Sequence, residues 1–287
     1  MIIAGADGSR TGLEAVGWAA TEAALRQEPL IVAHTVPKWV CEEVTGYYAE
    51  VGRWMREGAE SVLTSARDRA LRERPSITVE TKLLPGDPRS ALINASRNAE
   101  LLVVGSRGIG GVRGLLIGSV AYGVAAHART DVVLVHERPS SPRAEVVVGV
   151  DGSPGSLRAL AFGFAEAELR RARLRAVQAW AWPHPGGFEP ADRDGEEKHL
   201  RTLRGLVARY RERHPDVDMV AEVVHGHPVE VLREAAAGAE LLVVGSRGHG
   251  QLAGMLMGSI SQAMLHHAPC PLAVVRRDHP LEPPPDI

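Results

Sequence analysis

The decapeptide Ala-Glu-Leu-Leu-Val-Val-Gly-Ser-Arg-Gly occurs twice in this chain, at residues 99–108 and again at 239–248. Identity over such a run, in register and 140 positions apart, is not a product of chance. Other landmarks keep the same spacing: Gly86 with Gly226, Pro88 with Pro228, Gly118-Ser119 with Gly258-Ser259, and His127 with His267. Asp7-Gly8-Ser9 returns as Asp151-Gly152-Ser153 at a spacing of 144, so the halves differ by a small change of loop length. A period this long lies far above those of solenoid repeats and means duplication of a whole domain. The 287 residues suit two ordinary domains. The junction is expected in Arg-Pro-Ser-Ser-Pro-Arg at 138–143, where proline and serine separate two apolar runs. The expected division is therefore 1–138, 144–277 and a Pro-rich tail, 278–287.

Within each half, short apolar runs alternate with longer segments of helical periodicity. Strands are expected at 1–6, 30–36, 77–83, 101–104 and 132–136, with helices from Leu13, from Tyr48, from Asp87-Pro88 and from Gly118. The second half repeats the series, with strands at 145–150, 173–179, 217–224, 241–244 and 272–275 and helices at 157–170, 198–214, 229–237 and 259–267. Leu101 to Val104 is apolar throughout, as a strand buried on both faces must be. Alternation of this kind predicts parallel sheets flanked by helices. The fold class read here is α/β: two tandem, doubly wound, Rossmann-like domains.

Composition narrows the functional classes. A hydrophobic share of 45% supports a packed core, and a net charge of −2 gives neither a nucleic-acid footprint nor a polybasic membrane patch. No apolar run is long enough to cross a bilayer, and Met1 leads straight into Ile2-Ile3-Ala4-Gly5 without a basic leader. Cys41 and Cys270 match no metal or redox spacing. The expectation is a cytoplasmic protein that engages neither nucleic acid nor membrane.

The chemistry concentrates after the fourth strand of each half. Gly105-Ser-Arg-Gly108, nine residues and Gly118-Ser119 are matched by Gly245-Ser-Arg-Gly248, nine residues and Gly258-Ser259. Glycines remove the Cβ atoms that keep backbone N–H groups away from an anion. The closing Gly-Ser opens a helix, whose unpaired amides and positive dipole end favour a phosphate. Arg107 and Arg247 lie inside the loops, able to neutralise phosphate or to face solvent. Asp7 and Asp151 close the first strand of each half, placed to accept from ribose, to hold magnesium through water, or to cap a helix.

The G-x2-G-x9-G-S spacing, with Asp at the end of the first strand, resembles the ATP-binding branch of the universal stress protein family, in its tandem form and over nearly the whole chain. The resemblance implies five parallel strands per domain in the order 3-2-1-4-5, with ATP and Mg2+ as ligands. It places adenine and ribose near strands one and two and the triphosphate along the glycine loop. Carried onto this sequence, the first site comprises Gly5, Asp7, Thr35, Gly105, Arg107, Gly108, Gly118 and Ser119. The second comprises Gly149, Asp151, Ala179, Gly245, Arg247, Gly248, Gly258 and Ser259. It further implies pairing through fifth strands, within the chain as a pseudo-dimer or between chains as a homodimer.

The halves also differ. His34-Thr35 faces Gln178-Ala179, Arg129-Thr130-Asp131 faces Pro269-Cys270-Pro271, and Arg113 faces Ala253, so the two sites need not be equal. Trp39, Tyr47 and Tyr48 in one half, and Trp180, Trp182 and Phe188 in the other, are placed to stack on adenine or to close the core. His127, His266 and His267 sit where a helix C-terminus favours positive charge better than they suit a metal. A phosphotransferase is disfavoured, since neither glycine loop holds lysine and no Walker sequence exists. A dinucleotide enzyme is disfavoured too, because Gly108-x-Gly110 and Gly248-x-Gly250 follow a fourth strand rather than a first. No catalytic residue is assigned, and ATP turnover is expected to be slow at most.

Overall fold

A computed structural model describes residues 1–42, 47–108, 117–136, 142–180, 193–248 and 257–276. The chain forms two compact units, Met1–Glu137 and Arg138–Ile287. The first carries β1 (Ile2–Gly5), α1 (Arg10–Arg26), β2 (Leu30–Val36), α2 (Tyr47–Glu73), β3 (Val79–Pro85), α3 (Pro88–Ala95), β4 (Leu101–Gly105), α4 (Ser119–His127) and β5 (Asp131–Val135). The second carries β6 (Arg143–Gly149), α5 (Pro154–Arg170), β7 (Arg173–Trp180), α6 (Arg193–Arg211), β8 (Met219–His225), α7 (Pro228–Ala235), β9 (Ala239–Gly245), α8 (Ser259–His267) and β10 (Leu272–Val275). Among the described residues no helix is long and apolar enough to cross a membrane.

In the first unit the strands run β3-β2-β1-β4-β5, all parallel. In the second they run β10-β9-β6-β7-β8, again all parallel. Counted within each unit, both orders are 3-2-1-4-5. The sequence explains this layering. Residues Leu101 to Val104 of β4 and Leu241 to Val244 of β9 are at most 4% exposed, because helices cover both sheet faces. Strand β3 lies at an edge, where Glu80, Thr81 and Lys82 remain in solvent and Pro85 needs no further partner.

Helix starts and stops repeat between the units. Ser9 caps α1, its hydroxyl accepting from Gly12 N–H at 3.0 Å, and Ser153 caps α5 from Ser156 N–H at 3.2 Å. Each helix ends on a left-handed residue, Gln27 or Arg171. Near those ends an ion triad built on a buried glutamate recurs. Glu22, fully buried, meets Arg26 Nε at 2.5 Å, and Arg26 reaches Glu100 at 3.7 Å. In the second unit Glu166 pairs with Arg170, which reaches Glu240 at 3.8 Å.

Candidate functional site

Strand order reverses between β1 and β4, and ligands of open α/β sheets bind beyond the carboxyl ends of the strands that flank such a reversal. There the first unit holds a cavity of about 380 Å3. Ala33, Pro88, Leu92, Val104, Ile117, Val120 and Ala121 form its apolar walls. Gly5, Asp7, Thr35, Gly105, Arg107, Gly108, Gly118 and Ser119, all named from sequence, line this one cavity together with Ala6, Gly12 and His34. A largely apolar space with a few convergent polar groups suits a small organic ligand.

Asp7 lies two residues beyond β1. Its Oδ1 accepts from Ser9 N–H at 3.0 Å, so it braces the turn into α1 while Ser9 serves as the cap. Its Oδ2 faces the glycine loop: a Cβ on Gly108 would stand only 2.4 Å from that oxygen. The second unit repeats both contacts. Asp151 Oδ1 accepts from Ser153 N–H at 2.9 Å, and a Cβ on Gly248 would meet Asp151 Oδ2 at 2.4 Å. The first glycine of each loop serves another purpose. A Cβ on Gly105 would lie 2.7 Å from the Thr11 carbonyl carbon, and one on Gly245 equally close to that of Gly155. Gly105 and Gly245 therefore let strand and helix backbones touch, which brings the rest of the loop over the sheet.

The loop is fixed at both ends. Ser106 N–H donates to Val135 O at 2.9 Å and Gly118 N–H to Ser106 O at 2.8 Å; Ser246 and Gly258 make the same bonds to Val275 and Ser246. Gly118 and Gly258 then stand as the caps of α4 and α8 without a side chain to bond the first helical amides. Helix N-termini left in this way attract an anion. His34 adds a polar wall, its Nδ1–H donating to Ala6 O at 2.7 Å. A neutral His34 with that proton placement keeps Nε2 as an acceptor.

The model of the universal stress protein family matches residues 1–136 and again residues 143–276. The chain belongs to the universal stress protein family. Its relatives include universal stress protein Rv2005c of Mycobacterium tuberculosis, 35% identical over 285 residues and covering 96% of this chain and 97% of the relative. Universal stress protein Rv2623 of the same organism is 36% identical over 293 residues, covering 96% of each. Among solved structures, a universal stress protein from Archaeoglobus fulgidus aligns with a TM-score of 0.71 at 21% identity, over 96% of this chain and 98% of that one. That likeness speaks for the fold.

Of the other residues singled out in this universal stress protein, Trp39, Tyr48 and His127 are not among those lining the cavity. Trp39 packs on Val36, Val40 and Ala59 and meets Tyr48 edge-on, with ring centroids 6.4 Å apart, so it closes the core. Trp180 packs between His199 and His225, at 5.6 and 5.8 Å. His127 bonds the Gly123 carbonyl within its own helix at 2.9 Å. His266 shows the reverse of the expected preference for charge: burial, and then the neighbouring His267, push its pKa below the ordinary value despite its place at a helix C-terminus. The Tyr47 side chain, Arg113, Ala253, Trp182, Phe188 and the tail 278–287 lie outside the described residues, as do Gly110, Gly250 and most of the expected junction. Sequence reasoning missed Pro88 and Leu92 of α3 as cavity walls, and Thr11 at its margin. The Asp87-Pro88 helix start was visible, yet no periodicity says that this helix overhangs β1.

Proposed function

We propose that this chain is a cytoplasmic regulatory module that binds one adenine nucleotide per unit, ATP with Mg2+, and changes its conformation or partners with the bound state. The observation that carries this reading is the convergence, at a strand-order reversal, of a carboxylate, a glycine loop and an uncapped helix N-terminus in one cavity. Asp7 is placed to accept from ribose hydroxyls, and the amides of Gly108 and α4 to receive phosphate oxygens. The apolar walls suit a purine ring, and the Nε2 acceptor of His34 matches the exocyclic amine of adenine. Among the described residues no group of three or more His, Cys, Asp or Glu side chains stands ready for a metal. A lone carboxylate fits magnesium carried in by the phosphates, which keeps several of its waters. Self-association of the chain belongs to the reading, and light scattering on the purified protein measures it.

The test is to denature the purified chain and quantify the nucleotide released, then to titrate the stripped protein with ATP and Mg2+. Two equivalents per chain are expected, with Asp7→Ala and Asp151→Ala each removing one. A stripped protein that takes up no ATP would falsify the reading. Robust ATP hydrolysis abolished by the same substitutions would replace it with an enzyme.

A further inference from the structure

We infer that Thr11 is a positioning residue for the first site, a latch that sets its nucleotide affinity through the glycine loop; this deepens the reading above and rests on it. Thr11 lies in the first turn of α1 and is absent from the cavity walls. Its hydroxyl donates across 96 residues of sequence to the Arg107 carbonyl at 2.5 Å. Two backbone bonds already hold Ser106. The Thr11 bond acts one residue further on, at the Arg107–Gly108 peptide. A trans peptide points its C=O and N–H in opposite directions, so fixing the Arg107 carbonyl towards α1 fixes where Gly108 N–H points. That amide lies close to the α4 N-terminus: a Cβ on Gly118 would stand 3.7 Å from Gly108 N. The latch therefore orients a donor at the place where phosphate is proposed to sit, without touching ligand itself.

The second unit has no such latch. Its counterpart of Thr11 is Gly155, which offers no hydroxyl. There the Arg247 carbonyl has closed onto the helix, and a Cβ on Gly155 would come within 2.2 Å of its oxygen. The same loop sequence is thus held by a side-chain bond in one unit and by bare backbone contact in the other. A threonine at 155 cannot restore the latch without pushing the loop outwards.

The test uses the full chain in three forms, unchanged, Thr11→Val and Thr11→Ser. Labelled ATP with Mg2+ in equilibrium dialysis reads binding, and amide hydrogen exchange of the ligand-free protein reads the loop. Valine keeps the shape and loses the donor; serine keeps the donor. The expected result is a roughly three- to tenfold weaker binding class in Thr11→Val, the scale of one lost hydrogen bond. The other class stays unchanged, Thr11→Ser restores affinity, and exchange at Gly108 rises in Thr11→Val alone. Unchanged ATP binding in Thr11→Val overturns the latch and leaves the functional reading standing. Loss in both variants also overturns it, because the hydroxyl would not be the cause. An unchanged chain that binds no ATP overturns the functional reading and the latch's role with it.

Discussion

A Cβ placed on Gly108 meets the flexible end of Asp7, whereas one on Gly105 meets the Thr11 carbonyl carbon and oxygen at 2.7 and 2.8 Å and Gly12 N at 2.9 Å. A side chain can swing aside, but packed backbone cannot. Gly108→Ala is therefore expected to displace the carboxylate and weaken nucleotide binding while the denaturation midpoint barely moves. Gly105→Ala is expected to destabilise the first unit by about 1–3 kcal/mol, the usual scale of overpacking. Urea unfolding and ATP titration on the two variants separate these outcomes. The cysteines provide a second contrast. Burial pushes the Cys270 thiol up to about 12, and Cys41 is exposed. Only the thiolate reacts. A disulfide reagent at pH 8 should label one thiol per native chain, the second appearing only on unfolding; two fast equivalents would contradict the burial of Cys270.

At the scale of elements, the ion triads that end α1 and α5 are the most exacting contacts. Glu22 and Glu166 are both fully buried, but Arg26 keeps 18% of its side chain in water and Arg170 only 7%. Removing one member of a buried pair leaves the other's charge less well compensated and costs up to about 3–5 kcal/mol, less where water or a further partner still reaches it. Glu166→Ala is expected to approach about 3 kcal/mol and Glu22→Ala to cost less, as calorimetry of each variant would show. Most elements were legible from periodicity: β2 at 30–36 and α8 at 259–267 stand where the sequence put them. Errors fell at element boundaries, at ends as well as starts: α6 spans Arg193–Arg211 rather than 198–214. Helix α1 begins at Arg10 rather than Leu13, because Arg10, Thr11 and Gly12 give no apolar rhythm and only the Ser9 cap marks the turn. Strand β3 spans Val79–Pro85 rather than 77–83, since Ile77 N–H is taken by the turn after α2 and the register Val36↔Pro85 carries the strand onward. The glycine loop and Asp7 were legible because they are local motifs. Thr11, Pro88 and Leu92 were not, because their roles arise only when distant segments meet over β1.

Over the whole molecule, the units share some contacts and differ in others. The triads lie at the amino ends of the strands, Glu100 and Glu240 leading into the repeated β4 and β9 runs, and are the same in both. Differences occur at both ends of the strands: Arg129-Thr130-Asp131 faces Pro269-Cys270-Pro271 at the amino end, and Thr11 faces Gly155, His34 Gln178 and Thr35 Ala179 at the carboxyl end. Trp180 and His225, paired in the sheet, replace Val36 and Pro85. Among the described residues, every one lining the first cavity lies between Gly5 and Ala121, within the first unit. Gly108→Ala and Gly248→Ala should then each weaken one class of bound ATP and leave the affinity of the other unaltered, as two-site calorimetry would reveal. A shift in both affinities from either substitution would show the sites to be coupled. The shared triads have an evolutionary consequence. A feature found in both units belongs to the unit that was duplicated, and the residues that differ around the cavity arose afterwards. Under the proposed function, two sites that diverge in this way fill over a wider span of nucleotide concentration than one site covers.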